Sequence, residues 1–500
     1  MWKGTVPQEL RTPKRVYRLA WGATLLFALW YAALSFGNHY YFRTFAFDLG
    51  IKNQAVFDYA HGRHNYNTVL PELGGEVNNL ANHFEPIMAM VSPLYWLFGN
   101  WTLLLVQWFC LLLGAWGMFR FARCVAPNKD WLPLAAMLSY FMFWGVFSAL
   151  SFDVHTNVMA AGFLPWLFVA FQQKKWRTAA FWALLMVACK ENIALWLAFI
   201  GLALAWHYRN QVAQRKAALI LSLASVCAFL LILKWVMPYM ADGKLEYLHF
   251  NYSALGKDMG EALKTLLTQP WKGIELLFLV PENIDSSFAI KAKAWTWELL
   301  PMSGAWLAVF RPAAALMALP VLAQKMFNDD PTKWSPFLHY NIEFAPILAF
   351  ALVVFAARLN PKTYVLMVSL VLLGGALATW RSFDLYRPQA YMPQQVKVWH
   401  SDHWKRSPSV AKIREVVDQI PHEASVSASS VLVPHLADRK IIRTWPDFRE
   451  DDFVVLLDDG YMYYPQNQEG FLASVQKLRE IGSYSSIHEG EGLFLFKKRH

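Results

Sequence analysis

Long apolar runs, separated by short basic or polar segments, dominate the chain and predict a bundle of membrane-crossing helices. Residues 16–36 form the first such run, long enough for a bilayer that needs ~20 apolar residues. Further runs cover 101–119, 131–150, 158–171, 178–188, 193–206, 217–237, 295–310, 313–326, 339–356 and 364–380. The count is about eleven spans, several shorter than the ~20 residues of a full crossing. A twelfth apolar piece, 87–98, is short and flanked by loop-like sequence, and it reads as interfacial or re-entrant. Two stretches between the runs are too long for connectors. They are 38–100, with a candidate amphipathic helix over 51–61 and a Gly/Asn-rich turn over 73–79, and 238–294, with an amphipathic helix over 260–267. After Trp380 the pattern becomes that of a soluble domain: a helix near 409–419 capped by Ser407-Pro408, short β-rich runs at 424–427, 440–443, 453–457 and 492–496, and a helix over 470–481.

Composition agrees with this division. Of 500 residues 56% are hydrophobic and 16% charged, against about 25% charged in soluble domains. The net charge of +10 comes from Lys and Arg in short inter-span segments, as the positive-inside bias requires; no basic recognition helix suggests nucleic acid. Arg11, Lys14, Arg15 and Arg18 place the N-terminus in the cytoplasm. The run that follows is too long for a signal h-region and reads as an uncleaved first helix. Counting from there puts Asp48 outside, keeps the basic segments at 120–129 and 174–177 inside, and leaves residues 381–500 extracytoplasmic. Cys110, Cys124, Cys189 and Cys227 lie in or beside apolar runs without metal-site spacing and read as packing residues.

That topology brings Asp48, His83, Glu85, Asp153, His155, Lys190, Glu191, Lys293, His339, Tyr340 and Glu343 to one face of the membrane. Ionisable groups at membrane depth face a cavity or one another. Asp48, among Phe45, Phe47, Leu49 and Ile51, is a candidate general base or else a helix N-cap. Asp153 and His155 are candidate catalytic groups or a capped, ordered loop. His83 and Glu85 could join them around a divalent cation, or simply satisfy loop hydrogen bonds. Lys190-Glu191 is either a salt-bridged pair or a phosphate contact, and His339-Tyr340 either binds phosphate or anchors the interface. Walker, dinucleotide and nucleophile-elbow motifs are absent from the sequence, so no organic cofactor is indicated.

The set Phe47-Asp-Leu-Gly50, Asn82-His-Phe-Glu-Pro86 with Ser92-Pro-Leu-Tyr95, Phe152-Asp-Val-His155, Lys190-Glu191, His339-Tyr340, 424–429 and 434–439 resembles an uncharacterised DUF family of bacterial multi-pass membrane proteins. In layout that family is similar to the GT-C glycosyltransferases. The resemblance implies a polytopic helical domain over 1–380 and an extracytoplasmic α/β domain over 381–500. It further implies a polyprenyl-phosphate-linked sugar as donor, membrane lipids as neighbours, and an envelope glycan, lipid or protein as acceptor, with inversion at the sugar carbon. Asp48 then matches the acidic residue of the first external loop and Asp153 that of the next, while Lys190, Lys293 or His339 would meet the departing phosphate. The acidic pair common in that class is missing, since Leu49 follows Asp48. The alternatives are a flippase or transporter of lipid-linked precursors, which calls for binding groups at mid-membrane, and a non-catalytic scaffold.

Overall fold

The computed structural model describes residues 13–70, 78–242, 250–282, 284, 286–385, 395–460 and 462–499. Most of the 73–79 turn and the basic residues through Arg11 lie outside these. Among the described residues four helical stretches are long and apolar enough to cross a membrane: Lys14–Tyr40, Ile87–Val125, Val212–Ala241 and Pro361–Phe383. The pair Leu132–Phe141 and Trp144–Leu150, bent by 43°, makes a fifth if taken as one span. The other expected spans coincide with helices of only 12 to 17 residues, so length does not support the full count of eleven. The reason lies in their surroundings. Thr156–Gln172 and Phe344–Ala356 are buried around almost their whole circumference by neighbouring helices, which satisfies an apolar helix without lipid contact. Close packing is built in with small residues, as membrane helices use them. A Cβ added at Gly114 would lie 2.9 Å from the Cα of Gly162 on the crossing helix.

The short apolar piece is a set of broken turns over Ile87–Val91, Ser92–Leu94 and Tyr95–Phe98, set off from Thr102–Val125 by Gly99 at φ 51°. Its Trp96, Leu97 and Phe98 are exposed, as an interfacial element requires. The same holds for Met259–Thr268, capped by Asp258, and Pro270–Phe278, which leave Leu263, Leu267, Trp271, Ile274 and Phe278 uncovered. The helix expected over 51–61 spans Ile51–Ala60, but it is no interfacial helix: Lys52, Asn53 and Gln54 are buried with Ala55 and Val56. The expected span at 295 begins earlier, at Ser287, because Ser286 Oγ accepts the amide of Ala289 and starts Ser287–Met302.

Beyond the helices lies a five-stranded sheet: Val426–Ala428 (β1), Ile442–Thr444 (β2), Phe453–Leu457 (β3), Tyr484–Gly490 (β4) and Leu493–Lys498 (β5), in the order β2-β1-β3-β5-β4. β2, β1 and β3 run parallel, whereas β3, β5 and β4 run antiparallel. β4 is a partly exposed edge strand and carries no apolar run to betray it in the sequence. Helix Val410–Val417 is capped by Ser409, not by the expected Ser407-Pro408, and Asn467 caps Gln468–Glu480. The core under this sheet does not stop at the sheet. Phe42, Phe45, Ala46, Ile51, Val69 and Leu70 belong to it, so the segment following the first long helix is folded into the C-terminal domain.

Candidate active site

Of the apolar residues around Asp48, Phe45, Leu49 and Ile51 are buried while Phe47 stays exposed, and the chain turns sharply to allow it. The result is a π turn over Ala46–Gly50 in which Phe47 departs from helical geometry (φ −90°, ψ 100°). The turn presents Asp48 to a cavity of about 620 Å³, within the ~300–1,000 Å³ of small-molecule sites. Asp48 is not an N-cap: Gly50 precedes helix Ile51–Ala60 and no side chain caps it. Burial pushes the Asp48 carboxyl above its usual range, although Lys52 and Lys190 pull the other way. Its Oδ2 lies 3.7 Å from Nε2 of His155.

The cavity has a polar end and an apolar end. At the polar end His155 and His339 stack with ring centroids 3.3 Å apart. Burial, reinforced by neighbouring cations, holds both rings well below the ordinary imidazole range, so they are neutral at pH 7. Lys52 Nζ meets both oxygens of Glu85 at 2.9 Å, and Thr156 Oγ1 donates to Glu85 at 2.6 Å. Glu191 accepts from the backbone amide of Phe84 at 3.1 Å and sits 3.0 Å from His83 Nδ1. Burial keeps the His83 ring well below its ordinary range. Lys190 and Glu191 therefore do not pair with each other. Lys190 lines the cavity, and no hydrogen bond or ion pair joins its ammonium to another described residue. Lys333 donates to the Tyr340 hydroxyl, and burial pulls its amine down to about 8. Lys325 and Asn157 hold the two oxygens of Glu343 at 2.8 and 3.0 Å. The apolar end is lined by Leu195, Phe229, Leu255, Met259, Leu263 and Phe327.

Asp48, His83, Glu85, His155, Lys190, Glu191, His339 and Tyr340 thus share one cavity wall. Asp153 and Lys293 do not. Asp153, at φ 46°, points Oδ2 at the backbone amides of Phe45 (3.0 Å) and Leu49 (3.3 Å), behind the Asp48 turn. Lys293 lies inside helix Ser287–Met302, where its ammonium donates to the carbonyls of Leu276, Leu279 and Met326 and sits over the Trp334 ring. Three of the four side chains considered for a divalent cation are committed separately, Asp153 to amides, Glu85 to Lys52 and His83 to Glu191, while His155 faces Asp48. Among the described residues no three His, Cys, Asp or Glu side chains cluster closely enough to hold a metal ion. Lys52 and Lys333 are the site residues that sequence reasoning missed. The signal for Lys52 was its place four residues after Asp48, about one helical turn on. For Lys333 it was a basic residue two positions after the Asp-Asp-Pro cap.

A helical membrane bundle with a cavity polar at one end and apolar at the other defines the class of protein. The chain belongs to the family described as "Predicted membrane protein (DUF2079)", whose pattern matches residues 38–495. No curated protein matches it by sequence. Solved structures to which it is similar include ArnT from Cupriavidus metallidurans bound to undecaprenyl phosphate, at 13% identity over 96% of this chain and 97% of that one, with a TM-score of 0.52. The apo state of the same protein follows at 14% identity over 97% and 98% of the two chains, TM-score 0.47. The arabinofuranosyltransferase AftD from Mycobacteria matches at 13% identity over 96% of this chain and 41% of that chain, TM-score 0.43. The likeness to the first is one of overall fold.

Proposed function

We propose that this protein is a membrane glycosyltransferase that moves a sugar from a polyprenyl-phosphate donor to an envelope glycan, lipid or protein. One observation carries the reading: a single cavity joins a buried carboxylate, Asp48, and two lysines not neutralised by a carboxylate, Lys190 and Lys333, to an apolar wall. A sugar bridging a phosphate and a nucleophile needs the first two, and a prenyl chain needs the third. Asp48 takes the proton from an acceptor hydroxyl or amine as that atom attacks the anomeric carbon, a role favoured by its raised affinity for protons. The bond from carbon to phosphate oxygen breaks on the opposite side, so the configuration inverts. The polyprenyl phosphate departs with the electron pair, its charge met by Lys190 and Lys333. Neutral His155 and His339 orient the reacting groups, and Asp153 shapes the Asp48 turn from behind. The undecaprenyl phosphate bound to ArnT supports the choice of donor lipid by analogy of fold.

In this reading the protein sits in the cytoplasmic membrane with its N-terminus inside, and the cavity and the sheet domain outside. The test is mass analysis of envelope lipids and glycans in a deletion strain complemented with wild type or Asp48→Asn. A glycan missing in the deletion, restored by wild type and not by an Asp48→Asn protein made at normal level, supports the reading. Full restoration by Asp48→Asn refutes it.

A further inference from the structure

The Asp48 turn is gripped from two directions, and only one of them belongs to the membrane bundle. Asp153 accepts its amides from below. From the other side comes the segment that follows β1: Ser430 Oγ, itself buried, accepts the amide of Ala46 at 3.2 Å. Val433 packs so tightly on Gly50 that a Cβ added there would lie 2.7 Å from Val433 Cγ1. The grip extends along the helix after Asp48, where Asn53 donates to the carbonyl of Pro434 and Gln54 to that of Lys440. It ends at the sheet edge, where Thr444 donates its amide to Val69, and Thr68 exchanges hydrogen bonds with the backbone of Ile442. A tethered accessory domain would meet the bundle over a polar, separable face. Here the two parts share one apolar core.

We infer that the C-terminal sheet domain is a constituent of the catalytic site, and that Ser430 and Val433 are positioning residues that hold the Asp48 turn facing the cavity. The inference rests on the assignment of Asp48 as the base, but its structural content can be tested without any glycosyl transfer. Gly50 is then fixed by the partner it touches, because any side chain at that position drives the turn away from Val433. Relief must come from the other partner, so shortening Val433 makes room for the added methyl.

The probe is dicyclohexylcarbodiimide, which labels protonated carboxyls. Purified full-length protein in lipid nanodiscs is labelled across a pH series, and the modification at Asp48 is read by peptide mass spectrometry. Wild type titrates above the ordinary carboxylate range. Ser430→Ala and Gly50→Ala release the turn into water, and their labelling midpoints fall; each unit of fall lowers labelling at neutral pH about tenfold. Gly50→Ala combined with Val433→Ala brings the midpoint back towards wild type, a recovery that general destabilisation by two substitutions would not give. If Gly50→Ala does not fold, recovery of both folding and midpoint in the double variant carries the same meaning. Unchanged midpoints in Ser430→Ala and a folded Gly50→Ala, or a double variant no better than the single, overturn the inference. A shifted midpoint alongside envelope glycans that ignore Asp48→Asn would leave the positioning intact and remove the transferase reading instead.

Discussion

Lys52 and Glu85 offer the sharpest energetic test, because both side chains are almost fully excluded from solvent, at 6% and 3% exposure. Replacing Lys52 with Met keeps the volume and strands the Glu85 carboxylate with Thr156 as its remaining side-chain donor. Removing one partner of a buried pair costs about 3–5 kcal/mol, most of it the penalty of an unpaired buried charge. Glu85→Met should cost a similar amount by stranding the ammonium. The double variant removes both charges and leaves only the Thr156 hydroxyl unsatisfied, at about 1–3 kcal/mol. It should therefore be more stable than the sum of the singles by several kcal/mol. Unfolding in mixed micelles of dodecyl sulfate and maltoside, followed by tryptophan fluorescence, measures all four corners of the cycle. The pair also sets a pH window. Burial raises the Glu85 carboxyl, but Lys52, His83, Lys190 and the Thr156 hydroxyl together outweigh it and hold it below the ordinary 4.5. Its contribution is therefore present above 4.5 and lost as pH falls through the lower folded value. Burial lowers the Lys52 ammonium, but Glu85 and Asp48 carry it above 10.5. Its contribution is complete below 10.5 and lost only as pH rises through the higher folded value. Between these limits stability owed to the pair should be flat. Additive single costs, or singles below about 1 kcal/mol, would refute the account of this pair as a desolvated lock on the loop that carries Asp48.

Asp153→Asn keeps an acceptor oxygen for the amides of Phe45 and Leu49 and should restore the glycan of a deletion strain nearly in full. Asp153→Ala orphans two buried amides at about 1–3 kcal/mol each and should fail. Lys190→Met and Lys333→Met should each weaken binding of undecaprenyl phosphate, measured by native mass spectrometry, about tenfold or more, as expected for a charge-assisted contact of ~1.5–3 kcal/mol. Because the Lys333 amine titrates at about 8, wild-type affinity should decline as pH rises through that value. The decline should be smaller in Lys333→Met; an identical pH profile would remove Lys333 from the phosphate site. Lys293→Met strands three carbonyls and should lower the unfolding midpoint while leaving phosphate affinity unchanged.

The convergence of Asp48, His155, Lys190 and His339 was legible in the sequence because each interrupts or ends an apolar run, and membrane parity then assigns them a common side. Parity says nothing about direction. Asp153 shares that side with Asp48 yet turns its carboxylate to backbone amides, a choice made by its left-handed backbone. Lys293 was misplaced for a local reason, the Ser286 cap that extends its helix backwards over the lysine. Glu85 looked like a ligand because its partner Lys52 lies 33 residues away on a helix whose burial the periodicity did not reveal. The contacts of Ser430 and Val433 lay beyond reach altogether, since pairings across hundreds of residues leave no trace in a single sequence.

That last separation bears on how the molecule is made. Ala46 and Ser430 are 384 residues apart, and a ribosome adding about 5–20 residues per second takes roughly 20–80 s to cover the distance. Throughout that interval Phe42, Phe45 and Ile51 have left the tunnel with the core they belong to still unmade. A turn synthesised among the first fifty residues is thus among the last to acquire its working shape, so a nascent chain carries its candidate base in an idle form until translation is nearly over. A stop codon anywhere ahead of the sheet should yield an inserted bundle that is inert by construction.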